Sequence, residues 1–316
     1  MLAMFTHLTV FDEGHYYPAD PKMLEFMIEH KHDDFLQQLE AAFAADYKLS
    51  LFSEWASHAS VKHPLLSRGA QAHLFIAISN WLNRQHGSDI KAYGGYCHGI
   101  TTALYAAGSL SLEGYLTKIR TPLERYLRDL NRTVVEHDPC SGLFDFSNVM
   151  LDSDQVTAVV REFSSDIHIK DVRGNGVFEL LGNKQIIASF IEMIQSVYGS
   201  AVLVGRLLPD TAAHTSIVNV EKYRESFMGL GLKSVPYPIF SSTGRACAAN
   251  SDPDELNQLY VDTVLNPFRM KDCVEIISGW EDLVYIVGSE ATTNFVFAGF
   301  GEDRPEVKVI TADMLA

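Results

Sequence analysis

Cysteine is scarce in this chain, and the few present do not pair up. Four residues, at positions 97, 140, 247 and 273, are spread over 316 with no C-x-x-C spacing. That pattern argues against a disulfide framework or a thiolate zinc site, and it fits a reducing, cytoplasmic setting. Positive charge is also in short supply. Lys and Arg number 25 against 40 Asp and Glu, a formal net charge of −15, which suits neither nucleic acid nor an anionic membrane surface. No apolar run approaches the roughly 18 residues that a membrane span requires. The opening Met1-Leu-Ala-Met-Phe-Thr-His7 has no basic start, apolar core or small-residue cleavage site, so it does not read as a secretory signal. There is no internal repeat and no low-complexity stretch. What remains, 47% hydrophobic and 21% charged, is the composition of a globular chain long enough for one large core and a smaller appended unit.

Strand and helix patterns alternate along the chain. Thr6 to Phe11 reads as a first strand, followed by a polar loop from Asp12 to Pro18. Lys22 to Lys48 carries apolar residues at helical spacing, and Gly69 to Leu82 reads as a buried helix. Asp138-Pro-Cys-Ser-Gly142 reads as a turn and a boundary. Beyond it come Gln155–Phe163 (helix or strand), Ile167–Val172 and Val177–Leu181 (strands) and Lys184–Val197 (helix). The chain then returns through Val202–Leu207 (strand), Tyr223–Leu230 (helix), Pro238–Ser241 (strand) and Pro253–Leu265 (helix) to a last clear strand at Leu283–Val287, with Thr292–Phe300 as a helix. This alternation predicts an α/β chain with a covered, largely parallel sheet.

The most informative segment is Ala92-Tyr-Gly-Gly-Tyr-Cys-His-Gly-Ile100, followed by the Ala/Leu-rich stretch to Gly108. It reads as a buried strand, a tight turn and a helix, a G-x-nucleophile-x-G elbow with Cys97 at its tip. Glycine at 95 and 99 allows the strand and helix to approach closely around a strained central residue. A thiol there faces a helix N-terminus, which favours the thiolate. The N–H of His98 points where an oxyanion would form. The bland reading of the same pentapeptide is a glycine-rich turn holding an inert cysteine.

In order along the chain, further stretches resemble the acyltransferases that load acyl carrier proteins: the malonyl-CoA:acyl-carrier-protein transacylases and the acyltransferase domains of polyketide synthases. Ala70-Gln-Ala-His-Leu-Phe75 is similar to the family's A-Q-P-A-L-F helix. Gly95-Tyr-Cys-His-Gly99 matches its G-H-S-x-G. Leu104-Tyr-Ala-Ala-Gly-Ser-Leu-Ser-Leu-Glu113 is close to A-G-A-L-S-L-E-D and is the most specific match. Ala213-His-Thr-Ser216 sits at the family's histidine, Val264-Leu-Asn-Pro267 at its L-x-N-P helix end, and Val287-Gly288 at its V-G-P-G loop. The resemblance implies a large doubly wound, hydrolase-like domain (1–133 and 206–316) with a small inserted ferredoxin-like subdomain (134–205).

It also implies roles. Cys97 would be the acylated nucleophile, His214 the general base, and the backbone carbonyl of Thr263 the group that orients the imidazole. Backbone N–H groups of His98, Asp12 and Glu13 would form the oxyanion hole. Gln71, Ala213, Arg120 and Arg125 would lie near substrate. The substrate would be an acyl-CoA or phosphopantetheine thioester, the partner an acyl carrier protein, and no cofactor or metal would be needed. The enzyme would serve polyketide or fatty-acid biosynthesis, either within a polyketide synthase or acting on one in trans.

Four departures refine that expectation. Cysteine replaces serine, as in starter-unit acyl-carrier-protein transacylase domains; a discrete, cysteine-dependent acyltransferase of bacterial type is equally consistent. Malonyl-specific members carry an arginine about 25 residues after the nucleophile to pair with the substrate carboxylate, and here that position is Pro122, with Arg120 and Arg125 out of phase. A buried carboxylate without a cation is costly, so the expected acyl group is non-carboxylated. Ala213 stands where malonyl-selective members often have phenylalanine, leaving room for a longer chain. Asp12-Glu-Gly-His-Tyr16 replaces the family's G-Q-G-x-Q loop. Two rivals remain: a thioester hydrolase that edits acyl carrier proteins through the same Cys–His dyad, and, of another class, a degenerate fold kept as a docking or chain-length module.

Overall fold

In the computed structural model the described residues are 2–6, 11–12, 15–16, 21–56, 64–87, 89–119, 125, 139–149, 151–199, 203–209, 214–215, 224–225, 227–278, 284–288, 297 and 306–315. Two sheets organise them. The larger has six strands in the order β10-β9-β4-β1-β11-β12. These are β1 (Leu2–Thr6), β4 (Ala92–Tyr96), β9 (Ile239–Ser241), β10 (Ala246–Cys247), β11 (Val284–Val287) and β12 (Val307–Val309). All neighbours pair in parallel except β10, an antiparallel edge on β9. From β1 the sheet grows one way through β4 and β9, then the other way through β11 and β12, as the doubly wound expectation requires.

Buried helices cover this sheet. They include α1 (Pro21–Glu29), α2 (Asp34–Tyr47), α3 (Leu51–Ala56), α4 (Pro64–His86) and α5 (Gly99–Ala106), followed later by Pro253–Leu265 and Met270–Ser278. Within α4 the run from Leu74 to Ile78 is entirely buried, so it packs on all sides rather than along one stripe. Asp33 caps α2, accepting from the N–H groups of Phe35 and Leu36, and pairs with Arg84 across the surface. It is a structural residue, holding a helix start and a surface ion pair.

The second sheet has the order β6-β7-β5-β8, from β5 (Pro139–Asp145), β6 (His168–Val172), β7 (Val177–Asn183) and β8 (Leu203–Pro209). Helices Ser153–Phe163 and Lys184–Tyr198 lie between β5 and β6 and between β7 and β8. The chain order β-α-β-β-α-β with this strand order is the ferredoxin-like arrangement.

Several local expectations differ from this picture. The stretch Asp138–Gly142, read as a turn, runs into strand β5. Pro139 is its first residue, where no ladder N–H is needed, and Gly142 sits at a register shift between Ser141 and Leu143. The strand read as the chain's return, Val202–Leu207, is β8 and pairs with β5, so the small sheet runs past the boundary placed at 205. Strand β12 follows the strand read as the last one. The first strand, expected at Thr6–Phe11, is Leu2–Thr6, and β2 (Phe11–Asp12) and β3 (His15–Tyr16) form a short antiparallel pair where its end and the following loop were expected. The helix expected at Tyr223–Leu230 is described only in part, and that at Thr292–Phe300 lies outside the described residues apart from Phe297. Among the described residues no helix is long and apolar enough to cross a membrane.

Candidate active site

Cys97 stands at the carboxyl end of β4, one step before the first turn of α5, with a backbone φ of +54°. A non-glycine residue in the left-handed region is held there by its surroundings. Two glycines make room. A Cβ at Gly95 would overlap the backbone nitrogen of Ile100 in α5, and one at Gly94 would overlap the Phe240 ring in β9. The first requirement was legible in the motif. The second is set by the neighbouring strand. The turn is pinned by Ser242, whose hydroxyl accepts the Cys97 N–H at 3.2 Å. Ser242 also donates its own N–H to the Gly95 carbonyl at 3.1 Å.

His214 lies opposite, buried and also in the left-handed region with φ +62°. Its Nε2 is 3.1 Å from Cys97 Sγ, and its Nδ1 is 3.1 Å from the Asn266 carbonyl oxygen. A carbonyl can only accept, so Nδ1 carries the proton and Nε2 presents a lone pair to the thiol. The orienting carbonyl is therefore that of Asn266, correcting the assignment to Thr263. Thr263 is inside the helix Pro253–Leu265, whose carbonyls run along the axis. Asn266 is the first residue beyond it, extended at φ −90°, ψ 160°, as the residue before a proline prefers to be. Its carbonyl leaves the helix direction and reaches the imidazole.

Burial holds the His214 imidazole well below its ordinary value near 6.5. The charges of Lys170 and His98 act in the same direction, and the Asn266 carbonyl opposes them. The resting ring is thus neutral, as a base awaiting a thiol proton must be. Its face packs on Phe268, with ring centroids 4.0 Å apart, and Phe268 also meets Tyr96, the residue before the nucleophile, at 4.5 Å.

The other expected site residues are less concentrated. His98 is buried at the N-cap position of α5, directly before its first turn. Asp12 falls in β2, beside β8 of the small sheet; Glu13 lies outside the described residues, as do Ala213 and Arg120. Gln71 is in α4, with its side chain outside the description. Arg125 is exposed. Among the described residues no group of three or more His, Cys, Asp or Glu could hold a metal ion. Sequence reasoning missed Ser242, Asn266 and Phe268. The Ser241-Ser242-Thr243-Gly244 cluster signals a turn, but nothing local says that it closes on residue 97.

No family model matches the chain, and no curated protein matches its sequence. Solved structures match it along its whole length. One is the malonyl CoA-acyl carrier protein transacylase of Coxiella burnetii, with 10% identity and a TM-score of 0.73 over 99% of this chain and 95% of that one. Another is the acyl-carrier-protein S-malonyltransferase of Bartonella henselae, with 17% identity and a TM-score of 0.68 over 100% and 97%. A third is the malonyl-transacylase of a type II polyketide synthase, solved in complex with its acyl-carrier protein, with 12% identity and a TM-score of 0.72 over 99% and 97%. The chain has the fold of the malonyl-CoA:acyl-carrier-protein transacylases: a hydrolase-like α/β domain with a small ferredoxin-like subdomain.

Proposed function

We propose that this chain is an acyltransferase that moves a non-carboxylated acyl group from a CoA or carrier-protein thioester, through an S-acyl-Cys97 intermediate, to the phosphopantetheine thiol of an acyl carrier protein. The observation that carries this reading is the contact between Cys97 Sγ and His214 Nε2 at 3.1 Å, with the imidazole aligned from behind by the Asn266 carbonyl.

In this scheme Nε2 takes the thiol proton as Sγ attacks the thioester carbon. The carbonyl oxygen gains charge and is met by the His98 N–H at the helix start. The bond from carbon to the CoA sulfur breaks, and the imidazolium returns its proton to that sulfur. The acceptor thiol then repeats the steps in reverse, regenerating Cys97. Exchange of one thioester for another is nearly isoenergetic, so the scheme calls for no energy-supplying cofactor. The imidazolium formed midway is stabilised through Nδ1–H by the carbonyl behind it.

Two features support a non-carboxylated acyl group. The arginine expected of malonyl-selective members is replaced by Pro122. Among the described residues, the lysine whose charge acts on His214, Lys170, is 3.2 Å from Glu179 and engaged there. Support for the carrier-protein acceptor comes from the shared fold, since one of the matched transacylases was solved holding its carrier protein. The test is a single-turnover assay with labelled non-carboxylated acyl-CoAs and malonyl-CoA, with and without holo acyl carrier protein. Acyl transfer to the carrier, faster from the non-carboxylated donors, is expected. Release of free acid in its place would identify a thioester hydrolase, and no turnover with any donor would identify a docking module.

A further inference from the structure

The five residues Asn266–Met270 touch His214 directly and reach Cys97 through Ser242 and Tyr96, and the small sheet grips them from outside. The Asn266 carbonyl meets His214, and the Phe268 ring lies against His214 and Tyr96. The N–H of Arg269 donates to the Ser242 carbonyl at 2.8 Å, and Ser242 in turn holds the Cys97 N–H. From the small sheet, strand β6 pairs with Phe268. The Phe268 N–H donates to the Lys170 carbonyl at 2.7 Å, and the Val172 N–H donates to the Phe268 carbonyl at 3.3 Å.

One side chain completes this grip. Asp171, in β6 and fully buried, accepts the Met270 N–H on Oδ1 at 3.1 Å, while its Oδ2 is 3.0 Å from Arg173 Nε. Arg173 is itself fully buried and reaches Glu179 at 3.3 Å. Removing a carboxylate from water is costly and persists only where its partners are fixed. Burial raises the Asp171 carboxyl to about 6 against the pull of Arg173. With Oδ2 facing Arg173, Oδ1 is left to hold a backbone N–H of the segment that carries Asn266 and Phe268.

We propose that Asp171 is a positioning residue for the dyad: it fixes the Asn266–Met270 segment to the small sheet, and so sets the approach of His214 to Cys97. The inference rests on the acyl-transfer reading for its kinetic arm only. It joins the two lobes energetically, because a shift of β6 displaces the carbonyl and ring that aim the base.

The test compares Asp171→Ala, Asp171→Asn and Phe268→Leu in the full chain, each checked for cooperative thermal unfolding. Iodoacetamide alkylation of Cys97 across pH reads the thiol–imidazole pair without any acyl substrate, with His214→Ala as the reference for a lost base. Asp171→Ala is expected to move the alkylation profile toward that reference. It should also lower kcat for acyl transfer by about tenfold to a hundredfold, the scale of a misplaced reacting group, with KM for the donor nearly unchanged. Asp171→Asn keeps an acceptor for Met270 and should restore most of both. Should the alanine variant fail to fold, Phe268→Leu decides, and it is expected to shift the profile in the same direction. A folded Asp171→Ala or Phe268→Leu with the parent profile would overturn the proposal, as would an asparagine variant no better than alanine. If the parent protein transfers no acyl group, the functional reading fails while the alkylation arm still decides this inference.

Discussion

A single backbone carbonyl does much of the chemistry at the scale of the residue. By accepting from Nδ1 it fixes the His214 tautomer, and burial keeps the ring neutral. The sign of the resulting pH dependence follows directly. The base works when unprotonated, and its value in the folded chain lies below the ordinary 6.5. The acid limb of kcat/KM for acyl transfer should therefore fall below pH 6.5, measured with the free enzyme at limiting donor. A limb at or above 6.5 would contradict the buried, neutral imidazole. The same depression affects stability. As pH drops below 6.5, the unfolded chain binds a proton that the folded site resists, so the contribution of His214 to stability is lost on acidification. Cys97 and His214 were both legible as residues. Their partner was not: a carbonyl carries no side-chain signature, and the shift from Thr263 to Asn266 depends on where a helix ends.

Elements were legible where the signal is local. The G-x-C-x-G elbow announced a strand, a turn and a helix because close approach demands glycine at Gly95 whatever surrounds it. The segment at Pro139 and Gly142 misled for the same reason. Both residues signal turns locally, yet each can sit in a strand at its first residue or at a bulge, and only pairing with β7 and β8 reveals that. The helix Pro253–Leu265 was legible at both ends, from Pro253 to Asn266-Pro267, and in the structure Asp252 caps its start. That ending is also functional, which gives a prediction at this scale. Pro267 is exposed, so Pro267→Ala should leave the fold intact. It removes the bias that keeps Asn266 extended and lets the helix run on, and acyl transfer should slow by about tenfold. Parent-like rates in a folded variant would show that the carbonyl is aimed by something other than the proline.

For the whole molecule, the two sheets meet beside the dyad. The carboxyl end of β4 and the β9–β10 turn bring Cys97 and Ser242 together, and the edge strand β6 of the small sheet binds the segment that carries Asn266 and Phe268. The doubly wound sheet and the inserted small unit were readable from alternating patterns and ordered motifs. Their joint was not, because Asp171, Phe268 and Ser242 are far apart in sequence and become partners only when the lobes pack. The central claim is that this joint presents Cys97 as a nucleophile for thioesters. Intact-protein and peptide mass spectrometry after incubation with a panel of acyl-CoAs tests it most directly. The account predicts an acyl adduct mapped to Cys97, formed faster from non-carboxylated donors than from malonyl-CoA, absent in Cys97→Ala and strongly slowed in His214→Ala. An unmodified Cys97 with every donor, or an adduct that forms equally well without His214, would contradict it.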